Sequence, residues 1–187
     1  MKIEKGTSRT AFVGERYTIK FPRPNIKVAV DSLKDYLSIG IRRALPFIRA
    51  DEDDPFGLSF LLFRGWLQNV REARISDDFI NVVVPTRFSL FGFINIQDTA
   101  PDVDAQDGEI YIDIIKRIKS SADVRLQDVI DMRSATHTLP NSKNYGLSEG
   151  RIKLRDYGEK GIAELLQRFG TQVEQVLQEK MATIQAR

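Results

Sequence analysis

Residues 6–21, GTSRTAFVGERYTIKF, place apolar and β-branched side chains in two short clusters, Ala11-Phe12-Val13 and Tyr17-Thr18-Ile19. That pattern predicts two strands around a turn at Gly14-Glu15-Arg16, closed by Phe21-Pro22-Arg23-Pro24 because proline cannot donate to a ladder. Over 26–48 the spacing becomes helical, with Ile26, Val30, Leu33, Leu37, Ile41 and Leu45 every three or four positions. An acidic loop, Asp51-Glu52-Asp53-Asp54-Pro55, precedes a second predicted helix over 58–75 with Leu58, Leu62, Trp66 and Val70 on one stripe. Val82-Val83-Val84 and Phe91–Ile96 read as strands bracketing Pro85-Thr86-Arg87. Residues 98–108, DTAPDVDAQDG, carry turn formers and four aspartates and read as a linker or hinge.

The second half is mostly helical. Helices are predicted at 109–119 and 125–133, followed by an irregular stretch at 134–146. A strand pair then turns at Glu149-Gly150 and ends in Ile152-Lys153-Leu154. The last helix, about 160–186, aligns Ile162, Leu166, Phe169, Val173, Val176 and Met181 close to a heptad. This stripe has two readings, packing on its own domain or forming a dimerising coiled coil, and Gly170 weakens the second. Strands early and helices late predict an α+β layout.

Composition narrows the chemistry. With 28 Lys+Arg against 26 Asp+Glu, a strongly basic nucleic-acid surface is not expected. No apolar run reaches the length of a membrane span, and Met1-Lys2-Ile3-Glu4-Lys5 has no signal-peptide core, so the expectation is a cytoplasmic protein. Zero cysteines and one histidine, His137, leave hydroxyl, carboxylate, amide, Lys and Arg chemistry, the groups that handle phosphates and hard cations such as Mg²⁺.

Two constellations fit such chemistry. Gly6-Thr7-Ser8-Arg9 is a small-residue turn able to offer backbone N–H groups to phosphates, and Lys20 on the following strand supplies a positive charge. Asn144 and Asp156 lie at the two ends of a tight hairpin, Asp156 opening Asp-Tyr-Gly directly after a strand. An amide and a carboxylate converging there are oxygen donors suited to Mg²⁺.

Together these segments resemble the protein-kinase-like fold, in the shortened form encoded by bacteriophages. Gly6-Thr7-Ser8-Arg9 and Tyr17-Thr18-Ile19-Lys20 look like the phosphate loop and its strand-borne lysine. Glu72 falls on the helix where the family places that lysine's glutamate partner. The stretch from Val84 to Gly92 and on to Gln97 is similar to the next two strands, which lead into the hinge. His137 with Asn144 matches the catalytic loop H-x-D-x-x-x-x-N, and Asp156-Tyr157-Gly158 matches the metal-binding D-F-G. The likeness covers about 160 of the 187 residues in order. It implies one two-lobed domain, with a small antiparallel-sheet lobe over 1–97, a hinge at 98–108 and a reduced helical lobe over 109–187. It also implies ATP held by Gly6, Thr7, Ser8, Lys20 and Glu72, with Mg²⁺ on Asn144 and Asp156.

The chain departs from the pattern at Leu139, where the family carries the aspartate that accepts the substrate hydroxyl proton; no residue here is assigned a catalytic role. Only 29 residues follow Gly158, too few for an activation segment and a full helical lobe. Three uses of the scaffold follow. One is a nucleotide-binding pseudokinase. Another is a non-catalytic protein acting on a host or phage protein partner, for which the acidic loops 51–54 and 98–109 are candidate contacts. The third is a residual phosphoryl or nucleotidyl transferase using Asp156 with Mg²⁺.

Overall fold

A computed structural model describes residues 1–6, 8–50, 57–121 and 139–186. Its first element is a strand that the pattern did not predict, β1 (Lys2–Lys5), whose four residues are all exposed. It pairs antiparallel with β2 (Arg9–Val13), which pairs with β3 (Tyr17–Pro22) across the expected turn. The sheet is completed by β4 (Thr86–Leu90) and β5 (Ile94–Asp98), in the order β1-β2-β3-β5-β4, antiparallel throughout.

Two expectations for this half need correction. Val82–Val84 do not form a strand. All three are buried, and Val83 makes only an isolated parallel bridge to Leu154, so the apolar run serves the core and not a ladder. Phe91 and Gly92 are a turn and not the start of a strand, with φ of 49° and 78°. Phe91, Gly92 and Phe93 connect the paired Leu90 and Ile94, with Phe93 N donating to Leu90 O at 2.9 Å, and the two positive φ values let β4 and β5 close as a tight hairpin. Trp66 Nε1 donates to the Phe91 carbonyl at 2.7 Å and holds the turn against the helix beneath.

The helical spacing over 26–48 is interrupted. Gly40, at φ 127°, separates α1 (Ile26–Ile39) from α2 (Ile41–Arg49). The buried faces carry Ala29, Ala44 and Phe47, whereas Ile26, Val30, Leu37, Ile41 and Leu45 of the predicted stripe stay exposed. The helix α3 (Leu58–Ile75) has the predicted bounds, lies against the sheet, and buries the polar residues Gln68, Asn69 and Glu72 as well as Ile75.

The connecting segment after β5 is pinned on both sides. Thr99 N donates to Arg16 O at 2.9 Å, and Leu147 N donates to Pro101 O at 2.9 Å. It leads to α4 (Glu109–Ser120), then to the hairpin of β6 (Tyr145–Ser148) and β7 (Arg151–Leu154), and finally to α5 (Lys160–Gln185). The predicted helix at 125–133, His137 and the acidic loop 51–54 lie outside the described residues. The main core forms here, from Ile110, Ile114 and Ile118 of α4, Ile152 and Leu154 of β7, and Ile162, Leu166, Val173 and Val176 of α5. The α5 stripe is therefore used within the chain, and the coiled-coil seam that would have made a dimer is not exposed. Among the described residues no helix is long and apolar enough to cross a membrane.

Candidate functional site

A cleft of about 360 Å³ opens between the sheet, α3, the connecting segment and the residues that flank the β6–β7 hairpin. Gly6, Ser8, Arg9, Lys20, Asn144 and Asp156 all line it. Thr7 lies outside the described residues. Glu72 sits directly behind the wall, fully buried, where it accepts from Lys20 Nζ at 2.9 and 3.1 Å. Six of the seven residues singled out from the sequence therefore gather at one place, although they come from both ends of the chain.

The local fold explains the convergence. Strand alternation turns Thr18 and Lys20 of β3 inward together, and α3 crosses behind them with Gln68, Asn69 and Glu72 on the facing side, at i, i+1 and i+4. Two loops then press onto α3. A Cβ on Gly65 would collide with the Ser8 carbonyl oxygen, and a Cβ on Gly158 would lie 2.9 Å from Gln68 Cα. Only glycine lets both the Ser8 backbone and the Asp156-Tyr157-Gly158 turn reach the helix backbone. Ser8 Oγ then donates to Gln68 Oε1 at 2.6 Å, and Tyr157 is anchored by its hydroxyl donating to Val84 O at 2.8 Å.

Arg9 is the residue that sequence reasoning left without a role, and it organises the site. Its guanidinium is buried, forms an ion pair with Glu72 Oε1 at 2.8 Å, donates to Asn69 Oδ1 at 3.2 Å, and is hydrogen-bonded to Asp156 Oδ1. Lys20, Glu72, Arg9 and Asp156 thus form a quartet of two cations and two anions. Burial works against the charged form of Arg9, but Asp156 and Glu72 outweigh it and hold its pKa above the ordinary guanidinium value. Burial also pushes the Asp156 carboxyl up; the charges of Arg9 and Lys20 overcome this and keep it below the usual carboxylate value. For Lys20 the balance reverses, because burial and Arg9 lower its pKa more than Glu72 raises it. A buried arginine requires anionic partners, so an Arg inside an apolar strand was the available signal.

Other charges frame the rim. Arg64 pairs with Glu159 at 2.6 Å. Arg155 bridges the segments, donating to Ala100 O at 3.0 Å, to Asp102 Oδ1 at 2.7 Å and to Lys143 O. Asp102 and Asp107 of the acidic segment are engaged inside the chain, Asp107 Oδ1 accepting from Ser142 N at 2.7 Å.

The donor set proposed for magnesium meets an obstacle in this arrangement. The Asp156 side chain is 39% exposed and faces the cleft, but its Oδ1 already accepts from Arg9. A divalent ion there would displace a buried guanidinium or sit beside it and Lys20. Removing one partner from a buried pair costs about 3–5 kcal/mol. Among the described residues no three acidic or imidazole groups gather to hold a metal elsewhere. Leu139, in the place of the expected base, points away from the cleft: it is fully buried in the core, with its carbonyl accepting from Tyr145 Oη at 2.8 Å. Its loop presents Asn141 and Lys143 to the cleft instead.

Comparison with family models, with curated proteins and with solved structures finds no match to this chain.

Proposed function

We propose that this chain is a reduced, two-lobed protein-kinase-like protein that binds a nucleoside triphosphate without transferring its phosphoryl group. The observation that carries the reading is the convergence of the Gly6–Arg9 turn, the Lys20–Glu72 pair, Asn144 and Asp156 on one cleft. Its volume of about 360 Å³ falls in the range of small-molecule sites. A polar, cation-bearing floor suits a phosphate chain, with Lys20 as the charge beneath it and Gly6 and Ser8 lining the same cleft. With leucine at 139, the loop offers no carboxylate to take a hydroxyl proton, and the role left to the site is binding.

Thermal unfolding with and without ATP tests this. At a hundredfold excess over Kd, a ligand that binds only the folded state stabilises it by about 2.7 kcal/mol. For a chain of this size, that is a rise in Tm of roughly 5–11 °C. Lys20→Met is expected to abolish the rise, and wild type with γ-labelled ATP to release no phosphate. An unchanged Tm at millimolar ATP would end the reading.

One observation favours a second use, docking of a protein partner on the same scaffold. Ile39 and Ile41 are 64% and 60% exposed at the junction of α1 and α2, and Ile26, Leu37 and Leu45 of these helices are exposed as well. Exposed patches of this kind mark interaction sites. Ile39→Lys with Ile41→Lys is expected to leave stability within about 1 kcal/mol of wild type and to abolish co-purification of any bound protein. Unchanged co-purification would remove this surface from consideration.

A further inference from the structure

We infer that Arg9 stands in place of the divalent cation, so that the cleft takes its nucleoside triphosphate as the metal-free anion. The inference rests on the nucleotide reading above and deepens it.

Three observations carry it. First, Asp156 faces the cleft in which Lys20 also lies, and it is already hydrogen-bonded to Arg9. Second, Arg9 cannot simply swing aside. It is buried, its Nη1 group is held by Glu72 at 2.8 Å and Asn69 at 3.2 Å, and its own strand is fixed by pairing with β3 on one side and by Ser8 packing on Gly65 at the other. Asn69 is itself held, donating from Nδ2 to Gly92 O at 2.9 Å. Third, the charge count changes sign of preference. With Lys20 and Arg9 balanced by Glu72 and Asp156, a further doubly charged cation would enter a neutral quartet next to two fixed positive groups. Arg9 and Lys20 line the cleft beside Asp156, and a guanidinium presents planar N–H donors to phosphate oxygens. The work that magnesium does for a bound triphosphate, neutralising its oxygens, is then done by a side chain of this protein.

The test measures ATP affinity of the full chain by calorimetry in EDTA and again with excess Mg²⁺. The expected result is binding in EDTA at least as tight as with Mg²⁺. Arg9→Gln is expected to weaken binding in EDTA by about tenfold or more, the worth of a hydrogen bond to a charged group. Should Arg9→Gln fail to fold, Asp156→Asn decides: it frees the guanidinium for phosphate, so affinity is held or improved in both buffers, whereas a metal-ligand role for Asp156 predicts loss of the affinity measured with Mg²⁺. ATP binding only in the presence of Mg²⁺ would overturn the inference and leave the nucleotide reading intact. Absence of ATP binding in both buffers would overturn both.

Discussion

Glu72→Met is expected to destabilise the chain by about 3–5 kcal/mol, the usual cost of removing one partner from a buried ion pair. Glu72 is fully buried and accepts from two cations, Lys20 at 2.9 and 3.1 Å and Arg9 at 2.8 Å. Without it Lys20 keeps only the Arg155 carbonyl at 2.7 Å, and Arg9 keeps Asp156 and Asn69. Lys20 therefore suffers most, since burial already lowers its pKa; it would shed its proton or draw water into the wall. The double variant Lys20→Met with Glu72→Met removes the stranded charge along with its partner. Replacing both members of a buried pair by apolar groups of similar size is often near neutral, so the double variant is expected to be more stable than Glu72→Met alone. Urea titration of wild type, both single variants and the double variant measures this coupling. A double variant no better than Glu72→Met would mean that Arg9, and not Lys20, is the charge Glu72 chiefly neutralises.

That dependence also shows which parts of the site could be read from the chain. The β2–β3 turn, α3, α4, the β6–β7 hairpin and α5 follow from local periodicity, since each buries one face and its turn residues sit at the expected offsets. β1 escaped because Lys2-Ile3-Glu4-Lys5 contains one apolar residue and lies exposed at the sheet edge. The break at Gly40 escaped because apolar spacing continues through it, and that stripe proved to face outward. Val82–Val84 look like a strand by composition, yet burial alone demands those side chains. At the site, the pairing of Lys20 with Glu72 spans 52 residues and two intervening helices. No local pattern predicts such a contact, and only the resemblance to the protein-kinase-like fold pairs the two residues. The resemblance assigned Asp156 to a metal and did not anticipate the guanidinium of Arg9, because a likeness transfers positions and not the substitutions around them.

Gly65→Ala is expected to cost about 3 kcal/mol or more, at the upper end of what overpacking does, and to abolish nucleotide binding with it. The methyl group would run into the Ser8 carbonyl oxygen, and the next atoms it meets are Ser8 C at 3.0 Å and Arg9 Cγ at 3.2 Å. Backbone cannot rotate out of the way as a flexible side-chain tip can, so Ser8 and Arg9 must lift from α3. Lifting it breaks the bond from Ser8 Oγ to Gln68 and the hydrogen bond from Arg23 N to Ser8 O at 2.7 Å, and it withdraws Arg9 from Glu72 and Asp156. One methyl group thus undoes the quartet from behind without touching a charge. Gly150→Asn is the matched control: its φ of 73° suits asparagine, and a Cβ there meets nothing within 4 Å. It is expected to change stability by less than about 1 kcal/mol and to leave ATP affinity unaltered. If Gly65→Ala melts and binds like Gly150→Asn, the turn is not seated on α3, and the cleft has no fixed roof for a phosphate chain.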